Sequence, residues 1–308
     1  MDFLARGLPS TAKAPKTIEG YHGAVVDHLV PQLGARKLRE LTPDDVESML
    51  RAKAAAGLSR ATLVHIHGVL TRALRWAEGR GRVGRNVSAL ANTPQGHRRT
   101  SKAMTIEQAR ALLSAARTDR LEALWTLGLT VPSRPGELTG LSWADVDLEE
   151  GIVHFRQALH HGPGGAFTLG PLKTEQSRRS VEVPAVVVAA LHRRKAAQAR
   201  EQLTAGSGWT DTDLVFTTGV GTPVDPSHLR RNLRALALRA GLPGVWTVYE
   251  LRHSAVSILS AAGVPIEQIA DTAGHRNSRV TASVYRHNLS PVISSARGPM
   301  DQVFSTSQ

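Results

Sequence analysis

The sequence predicts a mainly α-helical chain with a small antiparallel β-sheet, divided into two domains. Three observations predict it. Apolar residues recur at steps of three and four on both sides of a turn-rich, basic stretch, Asn92-Thr93-Pro94-Gln95-Gly96-His97-Arg98-Arg99-Thr100, which reads as a linker. Between Ile152 and Val183 the period drops to two. A chain of 308 residues with 41% hydrophobic content can bury two modest cores, and its length favours two domains.

In order, residues 1–16 read as an N-terminal extension, 17–92 as a compact helical unit, 93–102 as the linker, 103–290 as the second domain and 291–308 as a tail. In the helical unit Thr42 is an N-cap followed by Pro43 at the first helical position, with Asp44 and Asp45 at the positive end of the helix dipole. The next helix runs from about Ser59 to Glu78, with Leu63, Ile66, Leu70 and Leu74 as its buried stripe. Thr105 and Gln108 form a capping-box pair that opens the second domain, with Ala109, Leu112 and Leu113 on the apolar side. Leu121 to Leu129 continues helically, and Pro135 opens a short helix ending near Trp143. Ile152–Arg156 and Ser180–Val183 alternate as strands, with Ala166–Leu169 a weaker third in one antiparallel sheet. Helices return from Pro184 to about Glu201, from Asp225-Pro226 through Leu229, Leu233 and Leu236, and from Pro265 to a glycine stop at Gly274.

The formal charge of +12 points to a polyanionic partner, because clustered Lys and Arg gain by releasing counterions from phosphates. Residues 1–100 hold 16 Lys and Arg against 8 Asp and Glu, so this third carries most of the excess. Arg60, Arg72 and Arg75, continuing to Arg80, Arg82 and Arg85, suit a DNA backbone; the alternative is a solvated helix face. Cysteine is absent, which excludes disulfides, Cys-based zinc sites and a thiol nucleophile. No apolar run approaches the roughly 20 residues of a membrane helix, and the expected location is the cytoplasm. The histidines fit no common zinc spacing, His154, His160 and His161 reading as solvated loop residues, so no metal or other cofactor is expected.

The chemistry lies in the run LRHSAVSILSAAGVPIEQIADTAGHRNSRVTASVYRH, which carries Arg252, His275 and Tyr285, with Arg134 in SRPGEL and Lys173 in PLKTEQSRRSVEVP. A phosphodiester repels nucleophiles and leaves as a poor alkoxide, so its cleavage needs positive donors, a nucleophile and an acid. Arginine offers a permanently charged planar fork for two phosphate oxygens. Arg134 and Arg252 are the candidates, although Glu137 one turn from Arg134 also suits an ordinary salt bridge. Lys173, in a hairpin, suits a general acid if neighbouring positive charge lowers its pKa. His275 can move a proton near neutrality, and Tyr285 can attack once cations stabilise its phenolate.

These motifs together resemble the tyrosine recombinase, or phage integrase, family, in particular integrases of actinobacterial mobile elements, over nearly the whole chain from about Thr17. The resemblance implies a helical core-binding domain for DNA followed by a mixed α+β catalytic domain. It assigns Arg134 and Arg252 to the scissile phosphate, Lys173 to protonation of the departing 5′ oxygen, His275 to assistance and Tyr285 to attack, giving a 3′-phosphotyrosine. It implies duplex attachment-site DNA as partner, two protomers per site and four per synapse, with a directionality factor choosing between integration and excision.

Three positions depart from the family pattern. Tyr249 replaces the usual histidine three residues before Arg252, where it supplies a hydrogen-bond donor but no positive charge. Pro132 enters the turn before Arg134, and Ala273 precedes Gly274-His275 where the family has leucine. Val292, Ile293, Ala296, Met300 and Phe304 suggest a docking helix in the tail, interrupted by Gly298-Pro299. The chain starts almost directly at the helical unit, so an extra N-terminal domain for accessory sites is expected to be absent or truncated. The alternative reading is a catalytically weakened or inactive DNA-binding remnant of an integrase; a single-subunit topoisomerase would share the chemistry.

Overall fold

A computed structural model describes residues 2–8, 15–95, 102–162 and 166–274, which fall into two compact units, one within Met1–Thr100 and one within residues 101–308. The first is helical: α1 (Pro15–Gly23), α2 (Val30–Leu33), α3 (Pro43–Ala55) and α4 (Arg60–Glu78). Helices α1 and α2 are joined by a π-helical stretch, Ala24–Leu29, just before Pro31, which has no N–H to continue the ladder. Helix α3 starts where its cap chemistry predicts. Thr42 Oγ1 accepts from the Asp45 amide and the Asp45 carboxylate accepts from the Thr42 amide, with Pro43 in the first turn. Ser59 caps α4, whose Leu63, Ile66, Leu70 and Leu74 are all buried, with Val69 and Ala77 beside them. Residues 3–8, expected as an extension outside the unit, instead pack into it. Leu8 is buried in its core and the Phe3 ring meets the Trp76 ring edge-on, because both are apolar and find cover there.

The second unit opens with α5 (Ile106–Ala116), capped reciprocally by Thr105 and Gln108 as expected. Helix α6 (Glu122–Thr130) is apolar all round, Ala123 to Leu129 being buried without interruption, and it forms the centre of this unit. Trp125, Phe155, Leu191, Phe216 and Leu251 pack in the same core. Helix α7 (Pro135–Thr139) stops at Gly140, short of the predicted end, and Trp143–Asp145 forms a separate 3₁₀ turn. Later helices are α8 (Ala185–Ala205), longer than predicted, α9 (Pro226–Arg239), α10 (Val248–Ala261) and α11 (Ile266–Ala273). Among the described residues no helix is long and apolar enough to cross a membrane.

The predicted single sheet is two. Strands β1 (Val146–Asp147), β2 (Ile152–Phe155) and β5 (Arg179–Glu182) form one antiparallel sheet in the order β1-β2-β5, with Phe155 opposite Arg179. Strands β3 (Gln157–His161) and β4 (Phe167–Pro171) pair only with each other. The chain changes partner at exposed Arg156, which separates β2 from β3 and ion-pairs with Asp145. His160 and His161, read as loop residues, stand on β3, and His154 lies on β2 within the strand predicted for it; His154 bonds Ser180 Oγ across the first sheet, and His160 bonds the Pro171 carbonyl across the second.

Strand β3 lies against α7 so closely that two glycines are obligatory. A Cβ at Gly140 would stand 2.6 Å from the Leu159 amide nitrogen, and one at Gly136 would stand 2.9 Å from the Leu159 carbonyl oxygen. Gly140→Ala is expected to push α7 off the hairpin and destabilise the unit by about 1–3 kcal/mol. Thermal unfolding checks this as a melting point lower by roughly 2–10 °C.

Candidate active site

Arg134 is the residue just before α7, set by Pro135 at the first helical position. Its amide and its Nη1 both donate to the Glu137 carboxylate, at 3.0 and 2.5 Å, so the salt bridge suggested by their spacing is present. The same guanidinium donates to Ser177 Oγ (2.9 Å) and, from Nη2, to the Gly274 carbonyl (3.3 Å). Glu137 is 2% exposed and shared: Oε1 accepts from Arg134 Nη1, and Oε2 accepts from both the Arg134 amide and Arg179 Nη2, the latter at 3.0 Å. Burial alone would raise the Glu137 carboxyl above its ordinary value, but the charges and hydrogen bonds of Arg179 and Arg134 outweigh it and hold the group low and ionised.

Arg252, on α10, is buried and donates from Nη1 to the Pro132 carbonyl and from Nη2 to the Ala273 carbonyl at 2.7 Å. Burial, and then the nearby charge of Arg134, lower its pKa to about 10, which leaves it charged at neutral pH. Pro132, expected to restrict the turn that aims Arg134, also supplies the carbonyl that seats Arg252. The outcome is convergence on one helix end: Thr272, Ala273 and Gly274 present successive carbonyls that accept from Arg179, Arg252 and Arg134 respectively. Unpaired carbonyls and the negative end of the dipole make a helix C-terminus a natural place for cations. Gly274 ends α11 in the left-handed conformation (φ 62°), as the glycine stop predicts, and His275 follows it in the chain.

Lys173 stands exposed on the loop between β4 and β5. Tyr249 is half exposed on α10, its ring 5.8 Å from that of His253. Burial, then the charge of Arg252, lower the His253 pKa. The expected positions His275 and Tyr285, and the tail helix, lie outside the described residues. Among the described residues no group of three or more His, Asp or Glu side chains is placed to hold a metal ion.

The arginines read as a DNA-facing stripe are not uniformly solvated. Arg72 and Arg75 are exposed on α4, with Arg72 5.6 Å from the Tyr21 ring centre. Arg80 and Arg82 lie over the two-ring face of Trp76 at 4.3 and 5.2 Å, and Arg82 also pairs with Asp2. Arg60 is half-buried, with an unbonded Nε. Arg85 is exposed.

Sequence reading missed Arg179 and Ser177 as parts of this cluster, and saw Glu137 only as a partner of Arg134. A signal existed. On β5, Arg179 is in phase with Val181 on the less exposed side, and an arginine on the inward side of a strand needs acceptors.

Residues 102–290 match the phage integrase family. An integrase of Streptomyces ambofaciens is 39% identical over 308 residues, spanning 98% of this chain and 79% of that protein. Among solved structures, the Tn1549 transposon integrase in complex with transposon right-end DNA is similar at a TM-score of 0.81 and 18% identity, over 99% of both chains. A lambda integrase, solved as a tetramer bound to a Holliday junction, is similar at a TM-score of 0.66 and 17% identity over 92% of this chain and 75% of that one. With the family matched across the whole second unit up to residue 290 and a relative of this identity along almost its full length, the chain belongs to the phage integrase family, the tyrosine recombinases of site-specific DNA recombination.

Proposed function

We propose that this recombinase cleaves and rejoins duplex attachment-site DNA through a 3′-phosphotyrosine on Tyr285, to integrate or excise a mobile element. The observation that carries this reading is the pair of guanidiniums, Arg134 and Arg252, brought to one helix end beside the residue that leads into His275. The two arginines hold the scissile phosphate and neutralise its developing charge. Tyr285 Oη attacks phosphorus as its proton passes to His275, and the bond to the 5′ oxygen breaks as that oxygen takes a proton from Lys173. Rejoining runs the same steps backward with a 5′ hydroxyl as nucleophile, so bond energy is conserved and no ATP is needed. Tyr249 donates a hydrogen bond to the same phosphate.

The exposed basic residues of α4, Arg72 and Arg75, with Arg60, Arg80, Arg82 and Arg85 nearby, are suited to grip the duplex. Four protomers act at a synapse, a reading supported by the lambda integrase neighbour solved as a tetramer on a Holliday junction. The work takes place on cytoplasmic DNA, and a directionality factor sets integration against excision.

Suicide duplexes tiling the DNA that flanks the coding region test the proposal. A covalent protein–DNA adduct is the expected result, whereas retarded DNA without any adduct would identify an inactive DNA-binding remnant. On the duplex that is cleaved, Tyr249→Phe is expected to slow single-turnover cleavage by roughly 10²-fold, the cost of losing one donor at a developing charge. Unchanged cleavage would remove Tyr249 from the reaction.

A further inference from the structure

Three guanidiniums reach the end of α11, and only two belong to the proposed phosphate clamp. Arg179 is the third. Its side chain is 7% exposed, and its three nitrogens go to three different segments of the protein. Nε donates to the Thr272 carbonyl at 2.6 Å, Nη1 to the Ser177 carbonyl at 2.9 Å and Nη2 to the Glu137 carboxylate at 3.0 Å. The guanidinium also lies over the Phe155 ring, 4.3 Å from its centre. With all three nitrogens taken by protein acceptors, it is left out of the phosphate clamp.

Each segment it holds carries a member of the proposed site. Ser177 closes a turn on the Thr174 carbonyl (3.0 Å), its hydroxyl bonds Thr174 Oγ1 and Arg134 Nη1 at 2.9 Å each, and Lys173 directly precedes Thr174. Glu137 anchors Arg134. Thr272 belongs to the run of carbonyls that seats Arg252 and Arg134 and continues into His275. The turn and the helix end touch: a Cβ at Gly274 would meet Ser177 Cα at 3.1 Å and Arg179 Nη1 at 3.2 Å. A point charge could satisfy Glu137 alone, but acceptors in three directions call for the rigid planar fork of arginine. An apolar residue would fill the same space without desolvating a charge, so a purely space-filling role does not account for an arginine here.

We propose that Arg179 is a positioning residue for strand cleavage, locking the Lys173 turn, the carboxylate behind Arg134 and the end of α11 into one geometry. This rests on the roles given above to Lys173, Arg134 and His275.

The full-length Arg179→Lys variant keeps a charge against Glu137 and loses the fork. It is compared with wild type on the suicide duplex that wild type cleaves, and on the same duplex with sulfur replacing the bridging 5′ oxygen. A thiolate leaves without a proton, so the second duplex does not need Lys173. Retardation of DNA is expected within about twofold of wild type, and cleavage of the oxygen duplex about 10²-fold slower, the effect of misplacing catalytic groups by about an ångström. On the sulfur duplex the deficit is expected to shrink by about tenfold. Wild-type cleavage by the variant, or an equal deficit on both duplexes, would overturn the proposal. If Arg179→Lys does not fold, Phe155→Leu, which removes the ring beneath the guanidinium and keeps every donor, is expected to show a smaller deficit with the same recovery on sulfur; no such recovery overturns the proposal. A wild-type chain that forms no adduct overturns the functional reading itself, whereas a normal wild type beside an unaffected variant overturns only the role of Arg179.

Discussion

Tyr285→Phe is expected to abolish the covalent protein–DNA adduct while leaving DNA retardation unchanged. The phenol oxygen is the only atom the substitution removes, and removal of a nucleophile costs on the order of 10⁶ in rate when the other groups cannot substitute for it. In the proposed reading, binding depends instead on the arginines of the helical unit and on Arg134 and Arg252, all of which remain. The measurement is denaturing electrophoresis of end-labelled suicide duplex beside native retardation of the same duplex. Adduct formation by the variant would move the nucleophile elsewhere, and Tyr249, half exposed on α10, would be the next residue to substitute.

Glu137→Gln is expected to have the largest effect on stability. The carboxylate is buried and bonds two arginines, one of them, Arg179, itself buried. The amide keeps the shape but removes the charge, leaving Arg179 with carbonyls alone. Breaking a buried pair from one side costs about 3–5 kcal/mol, and for a unit of this size the melting point is expected to fall by roughly 10 °C. The pH dependence follows from the lowered carboxyl pKa in the folded chain. The stabilisation is complete above the ordinary glutamate value of 4.5 and is lost as pH falls through the lower folded value, because the unfolded chain then binds the proton first. The gap in melting point between wild type and Glu137→Gln is therefore widest near neutral pH and narrows below pH 4.5. A gap independent of pH would mean that the carboxylate charge is not what stabilises the cluster.

Much of the fold is legible because its signals are local. The caps Thr42 and Thr105, the apolar stripe of α4 and the glycine end of α11 each act within one or two turns, and each stands where expected. The sheet is less legible. Gln157–His161 has little alternation of its own and becomes a strand by pairing with Phe167–Pro171, a choice made between segments rather than within one. Helix α7 ends early for a similar reason: the pattern continues toward Trp143, but the backbone of β3 presses against Gly136 and Gly140.

The sequence alone determined the family, the helical character of both units and the identity of Arg134, Lys173, Arg252, His275 and Tyr285 as candidates, since residue type, spacing and capping chemistry are properties of short stretches. Only the tertiary structure decided how the arginines are held. Residues 134, 179 and 252 belong to three separate elements, and their meeting at carbonyls 272, 273 and 274 follows from the packing of α7, β5, α10 and α11. The physical reason is that a buried cation must find acceptors wherever the fold leaves them, and here that place is the unpaired, electronegative end of α11.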